Sequence, residues 1–387
     1  MNINSIKKTT GFILASGLLV GCASGPKFEA SALNKLATAY DYIRLGHPLS
    51  CVLEWAIAKL NNLKAQNVIS FSSQTMPVLA ILRTNLANNK NTRILFTGEL
   101  ASFFDAEVLR SVYGYQFELI KVEKVEEISA FYGSTIFLSR QEEIGQYTLT
   151  PNIDFFIGLH APLGSVLLVN GAQNESYIPE IQHVRRRETI AMTPSNCHAA
   201  LTSLIEGTGI HQEHREFEKN KVRVRANIEE ITGTNSKALV GSSGLSVQYA
   251  IMMGLIHDAL ENHAGKPIKF IVPPNCYGGT NDQARRVAAC IDNVEIVDLP
   301  VDGDHDMVRS LDTVLDQAAA EDAVPYIIAE IPTNPRVEVP NLKLLKEALI
   351  RERRTAESEA AVDPVFILDQ TFCPNVHFLG EGEILSS

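Results

Sequence analysis

Apolar residues recur along this chain in two alternating rhythms. Leu53, Ala56, Ile57, Leu60 and Leu63 fall at helical spacing, and the run Asn67-Val68-Ile69-Ser70-Phe71 that follows reads as a short buried strand. Arg93-Ile94-Leu95-Phe96, Phe117-Glu118-Leu119-Ile120 and Val166-Leu167-Leu168-Val169 predict further strands. The rhythm returns later, with a strand at Ala238-Leu239-Val240, an apolar helix near Val247–Leu260, and strands at Lys269–Val272, Val294–Val297 and Tyr326–Ala329. Leu342, Leu345, Ala348 and Leu349 mark another helix before the strand Val365-Phe366-Ile367-Leu368. Apolar strands alternating with amphipathic helices predict an α/β fold on a mostly parallel sheet covered on both faces, because parallel neighbours need crossovers. In such folds ligands sit at the carboxyl ends of the strands.

The 387 residues leave room for two or three domains. A hydrophobic content of 45% with 20% charged residues is that of a folded chain rather than a disordered one. The net charge of −11 repels a phosphate backbone and argues against nucleic acid as a partner. The basic run Arg185-Arg186-Arg187, closed by Glu188, is expected on a solvated face. Besides Cys22 there are Cys51, Cys197, Cys276, Cys290 and Cys373, without a Cys-x-x-Cys pair, a pattern of ordinary reduced residues rather than a disulfide framework or zinc knuckle. Asp304-His305-Asp306 reads as a helix cap with exposed charges, and His211 and His214 as structural residues. No phosphate-binding Walker loop, dinucleotide glycine fingerprint or nucleophile elbow is present.

Near the start, Lys7 and Lys8 precede an uncharged stretch from Thr9 to Gly21 that has the form of an export signal and is too short to span a bilayer. It ends Leu19-Val20-Gly21-Cys22-Ala23-Ser24, which resembles the lipobox of bacterial lipoproteins. That resemblance implies removal of residues 1–21, lipidation of the Cys22 thiol and a lipid anchor at the membrane. The other reading, a cytoplasmic chain with a buried helix or an early start codon, stays open, and the cysteine usage favours it.

Four polar or glycine-bearing segments follow the late strands. Gly241-Ser242-Ser243-Gly244-Leu245 opens a helix, either as an ordinary cap or as a cradle of backbone N–H groups for an anion. Pro273-Pro274-Asn275-Cys276-Tyr277-Gly278-Gly279-Thr280, Pro332-Thr333-Asn334-Pro335 and Asp369-Gln370-Thr371-Phe372 come next. In this order the segments resemble the cystathionine γ-synthase and γ-lyase family of pyridoxal-phosphate enzymes of cysteine and methionine metabolism, over roughly Asn227 to Phe372. The resemblance implies the aspartate-aminotransferase-like fold of type I, pyridoxal 5′-phosphate as cofactor, and lyase or transferase chemistry of the transsulfuration kind on a small amino-acid substrate. It makes Ser243, Gly244 and Leu245 the phosphate loop, stacks Tyr277 on the pyridine ring and bonds Asn334 to the phenolic oxygen. It also pairs Asp369 with the ring nitrogen, with Thr371 beside it in the cofactor site. A carboxylate there favours the protonated ring, the electron sink of such chemistry.

Two departures qualify this. The family's cofactor-binding lysine follows the aspartate segment, but no lysine follows Lys346, so the resemblance implies a fold incomplete at its C-terminus, weak cofactor binding and no catalysis by a fragment of a longer protein. The family's tyrosine–arginine pair ahead of the serine loop is replaced by Phe217-Glu218-Lys219-Asn220, whereas Tyr42-Ile43-Arg44 stands near the start, followed by Phe71-Ser72-Ser73. This implies a degenerate half-copy over residues 30–205 ahead of a cofactor-binding domain at 206–387. The halves would form an internal pseudo-dimer with Tyr42 and Arg44 serving the site around Tyr277, or the chain would be a homo-oligomer. A single diverged enzyme with a large insertion is the rival, and a non-catalytic, membrane-anchored lipoprotein with a decayed enzyme fold is the alternative function.

Overall fold

The computed structural model describes residues 43–44, 46–101, 103–161, 163–210, 216–234, 236–301, 306–334 and 336–377. The chain divides into two units, residues 1–213 and 214–387.

The first unit begins with α1 (Pro48–Leu60), which His47 and Ser50 start as a reciprocal cap with proline in the first turn. There follow β1 (Val68–Phe71), α2 (Met76–Ala87), β2 (Thr92–Phe96), α3 (Ala106–Ser111) and β3 (Glu118–Lys121). Next come β4 (Ser134–Arg140), β5 (Phe155–His160), β6 (Gly164–Val169), α4 (Ile178–Glu188) and α5 (Pro194–Glu206). The six strands lie in the order β1-β6-β5-β4-β2-β3. Strands β5, β4, β2 and β3 are parallel, but β6 runs antiparallel to both β5 and β1. The sheet is thus mostly parallel, as the sequence rhythm predicts, with β6 the exception because the link from β5 to β6 is a tight turn, too short for a crossover. Gly164 makes that turn possible: its φ is +123°, and a Cβ there would collide with the Phe71 carbonyl. Leu53 and Ile57 of α1 pack with Phe137, Phe156, Val166 and Leu201 into the core of this unit.

The expectation of a solvated Arg185–Arg187 face is corrected. Arg185 is buried, its Nη1 donating to Glu54 Oε1 at 2.6 Å and to the Ser70 carbonyl at 3.2 Å. Glu188, three residues on and thus on the same side of α4, accepts from buried Arg83 at 2.8 Å, while Arg186 points to solvent. Helical periodicity divides a basic run that looks uniform in sequence.

In the second unit α6 (Phe217–Thr232) and α7 (Gly244–Asn262) precede β7 (Ile268–Val272), α8 (Gly278–Ala288) and β8 (Val294–Asp298). Then come α9 (Met307–Ala320), β9 (Val324–Glu330), α10 (Leu342–Ile350) and β10 (Val365–Asp369). The four strands are all parallel, in the order β10-β9-β7-β8. Ile271, Ile327 and Ala329 pack with Leu311, Leu315 and Leu345 into this unit's core. Asp306 caps α9 through the Arg309 N–H, as read; Asp304 and His305 lie outside the described residues. The strand expected at Ala238–Val240 is corrected: it joins no ladder among the described residues, and Leu239 and Val240 are 79% and 53% exposed, so no packing rewards an extended conformation there.

The two units repeat one pattern. β5-β4-β2-β3 and β10-β9-β7-β8 share order and direction, and the first three strands of each share starting register, with Thr92 opposite Ser134 as Ile268 is opposite Val324, and Ile136 opposite Phe155 as Tyr326 is opposite Val365. At the carboxyl ends the matched pair is Arg140–Leu159 in the first unit and Glu330–Asp369 in the second.

At the end of β5, His160 is fully buried with Nε2 2.9 Å from the Tyr147 hydroxyl. Burial lowers its pKa to about 4 and pushes that of Tyr147 up. The folded state therefore prefers neutral imidazole, so this contribution is complete above pH 6.5 and is lost as pH falls toward 4. His160→Asn should reduce the loss of stability between pH 7 and pH 5 by about 2 kcal/mol, read from urea unfolding at the two pH values. An unchanged pH dependence would refute the assignment. In the same assay Glu54→Ala should cost about 3–5 kcal/mol by stranding Arg185. Leu239→Asp should cost less than about 0.5 kcal/mol.

Candidate active site at the carboxyl ends of the second sheet

Strands β7 and β9 are neighbours, yet the chain leaves β7 for β8 on one side and β9 for β10 on the other. Loops that depart in opposite directions leave a crevice between them, the place where open α/β sheets take their ligands. The loop after β7 carries Tyr277, the loop after β9 carries Asn334, and β10 ends at Asp369.

Glu330, the last residue of β9, joins these segments. The residue is 6% exposed; one carboxylate oxygen accepts from the Tyr277 N–H at 2.8 Å and the other from the Asn334 N–H at 3.1 Å. Burial holds this carboxyl above the ordinary carboxylate range against the pull of the two N–H bonds, and the Asp369 charge on the paired strand adds to the rise. Asp369 is partly exposed, and one carboxylate oxygen accepts from the N–H and hydroxyl of Thr371 at 2.9 and 2.6 Å. Thr371 therefore acts on the orientation of Asp369. The Asp369 carbonyl accepts from the Ile331 N–H at 3.1 Å, which ties the β10 end to the Asn334 loop. Beside them the Cys276 thiol is pushed up to about 12 by burial and by Glu330, so at neutral pH it is no nucleophile.

The Tyr277 ring and the start of α7 meet at Gly279. A Cβ on Gly279 would collide with Tyr277 Cε1 and approach Leu245 Cδ1 to 3.0 Å, so the absent side chain is what lets both lie there. Gln283 of α8 donates to the Leu245 carbonyl at 2.8 Å and fixes the two helices together. Ser243 is the cap of α7: its hydroxyl accepts from the Ser246 N–H at 3.1 Å, and Ser246 Oγ answers the Ser243 N–H at 2.9 Å. Its hydroxyl is thus engaged within the helix, while the Gly244 and Leu245 N–H groups belong to the first turn that lacks intrahelical acceptors. A Cβ on Gly244 would meet nothing within 4 Å, which marks open space in front of that turn.

The second unit thus brings Ser243, Gly244, Leu245, Tyr277, Asn334, Asp369 and Thr371 to the same ends of its strands and helices. Tyr42 and Cys22, like His211 and His214, lie outside the described residues, and Arg44 belongs to the first unit. Sequence reading passed over Glu330 and the spacing role of Gly279. The signal for Glu330 was an acid closing the apolar run Val324–Ala329 directly before Ile331-Pro332-Thr333-Asn334. A cavity of ≈ 550 Å³ in the first unit lies instead at the amino ends of β2 and β3, between Thr92, Phe117 and Phe131. Among the described residues no group of three or more His, Cys, Asp or Glu could hold a metal ion, and no helix is long and apolar enough to cross a membrane.

No family model matches the sequence, and no curated protein matches it. Among solved structures, MetB from Corynebacterium glutamicum is similar at 13% identity and a TM-score of 0.34, over 61% of this chain and 71% of its own. Cystathionine γ-lyase from yeast is similar at 13% identity and a TM-score of 0.35, over 59% of this chain and 69% of its own. Overlaps this low leave the reading to rest on the residues themselves.

The cap assignment is testable by substitution. Ser243→Ala should lower stability by about 1 kcal/mol in urea unfolding. A variant as stable as the parent would show that the hydroxyl does not cap α7.

Proposed function

We propose that the second unit is the cofactor-binding half of a pyridoxal-phosphate lyase or transferase fold of type I, related to the enzymes of sulfur amino-acid metabolism. The observation that carries this reading is the convergence, through Glu330, of the Tyr277 and Asn334 loops beside Asp369 at a topological switch point. The donor set fits the cofactor: a carboxylate for a ring nitrogen, an amide for a phenolic oxygen, an aromatic face, and a helix start with open space before it for a phosphate. When bound, pyridoxal phosphate supplies an electron sink for carbanions formed next to an amino-acid nitrogen. Asp369 would hold the proton on the ring nitrogen, because a neighbouring negative charge favours the protonated ring. Thr371 keeps that carboxylate turned by two hydrogen bonds. Tyr277 would pack on the ring, Asn334 would bond its phenolic oxygen, and Gly244 with Leu245 would receive the phosphate at the positive end of α7.

Equilibrium dialysis with pyridoxine 5′-phosphate, which lacks the aldehyde, should show binding that Asp369→Asn weakens about tenfold or more, the size of a lost charge-assisted bond. Equal binding by parent and variant would count against the reading.

A further inference from the structure

We infer that Glu330 is a positioning residue, whose single carboxylate sets the mutual placement of the Tyr277 and Asn334 loops by accepting from the main-chain N–H of each. A surface acid would serve no such purpose. Glu330 ends a wholly buried strand, and both its oxygens are engaged, at 2.8 Å and 3.1 Å, by loops that leave adjacent strands in opposite directions. Burying a carboxylate is unfavourable unless its lone pairs are met, and here they are met by the two backbone groups whose positions fix the crevice. The contact on the Tyr277 side also sits at the first turn of α8, where a negative charge is favoured by the helix dipole. In the first unit the matched position is Arg140, which cannot accept from backbone N–H groups.

Facing Glu330 are Asp369 across the strand pair, whose charge opposes its ionisation, and the neutral Cys276 thiol at the turn after β7. Protonation converts one acceptor oxygen into a hydroxyl, so one of the two loop contacts loosens as pH falls through its titration. Binding at the crevice and the loop contacts thus depend on the same proton.

The inference extends the reading of the crevice as a cofactor site, and amide exchange without ligand tests it separately from that reading. In Glu330→Gln one acceptor oxygen remains and an NH₂ faces the other loop, so the amide of Tyr277, Asn334 or both should exchange about tenfold faster. Amides of Ile271 and Ile327 in the strand cores should keep their rates. Affinity for pyridoxine 5′-phosphate should fall by a similar factor, while Glu330→Asp, one methylene short, should not restore it. Unchanged loop exchange, or a rise spread evenly over the whole unit, would overturn the inference, the latter because it signals lost stability only. Should the variant fail to fold, the parent protein decides. Its Tyr277 and Asn334 amide resonances should titrate together, with one midpoint above the ordinary carboxylate range. Independent or absent titrations would overturn the proposal.

Discussion

One buried carboxylate shapes the most chemically organised part of this protein. Two parallel strands lie side by side while their following loops run to opposite edges of the sheet, and Glu330 satisfies a backbone donor from each. The arrangement places two acids opposite each other at the strand ends, Glu330 enclosed and Asp369 turned outward by Thr371. Their environments differ: burial makes the enclosed acid resist ionising, while Asp369 is partly exposed.

The repetition of strand order and register between the units gives this site a built-in comparison. Four strands agree in order and direction, and three of them in starting pairs, but the terminal pair is Arg140–Leu159 in one unit and Glu330–Asp369 in the other. A shared framework with chemistry on one copy is the pattern expected when a scaffold is set by packing and a site by a few residues at strand ends. In the first unit the corresponding end carries the buried Tyr147–His160 pair.

Most of the framework was legible from apolar runs. Strands such as Ile268–Val272 and Val324–Glu330 are buried throughout and announce themselves as continuous hydrophobic stretches. Two strands were not read: β4 interleaves Ser134, Thr135 and Ser139 with its apolar residues, and β5, though fully buried, follows a turn-rich stretch with no crossover helix before it. Ala238–Val240 misled in the opposite direction, since three apolar residues look like a strand whether or not a neighbour exists to pair with them. The burial of Arg185 was hidden because its partner Glu54 is distant in sequence. In the site, the order of motif segments singled out Tyr277, Asn334 and Asp369, whereas the residue that draws two of their loops together lies two positions before Pro332 and acts through backbone N–H groups, which no side-chain pattern records.

The most direct test of the central claim is a crystal structure of the full chain soaked with pyridoxine 5′-phosphate. The account predicts the ring beneath Tyr277, its nitrogen on the Asp369 carboxylate and its phosphate at the Gly244–Leu245 turn. A ring bound elsewhere, or a crevice that takes none at saturating concentration, would contradict it.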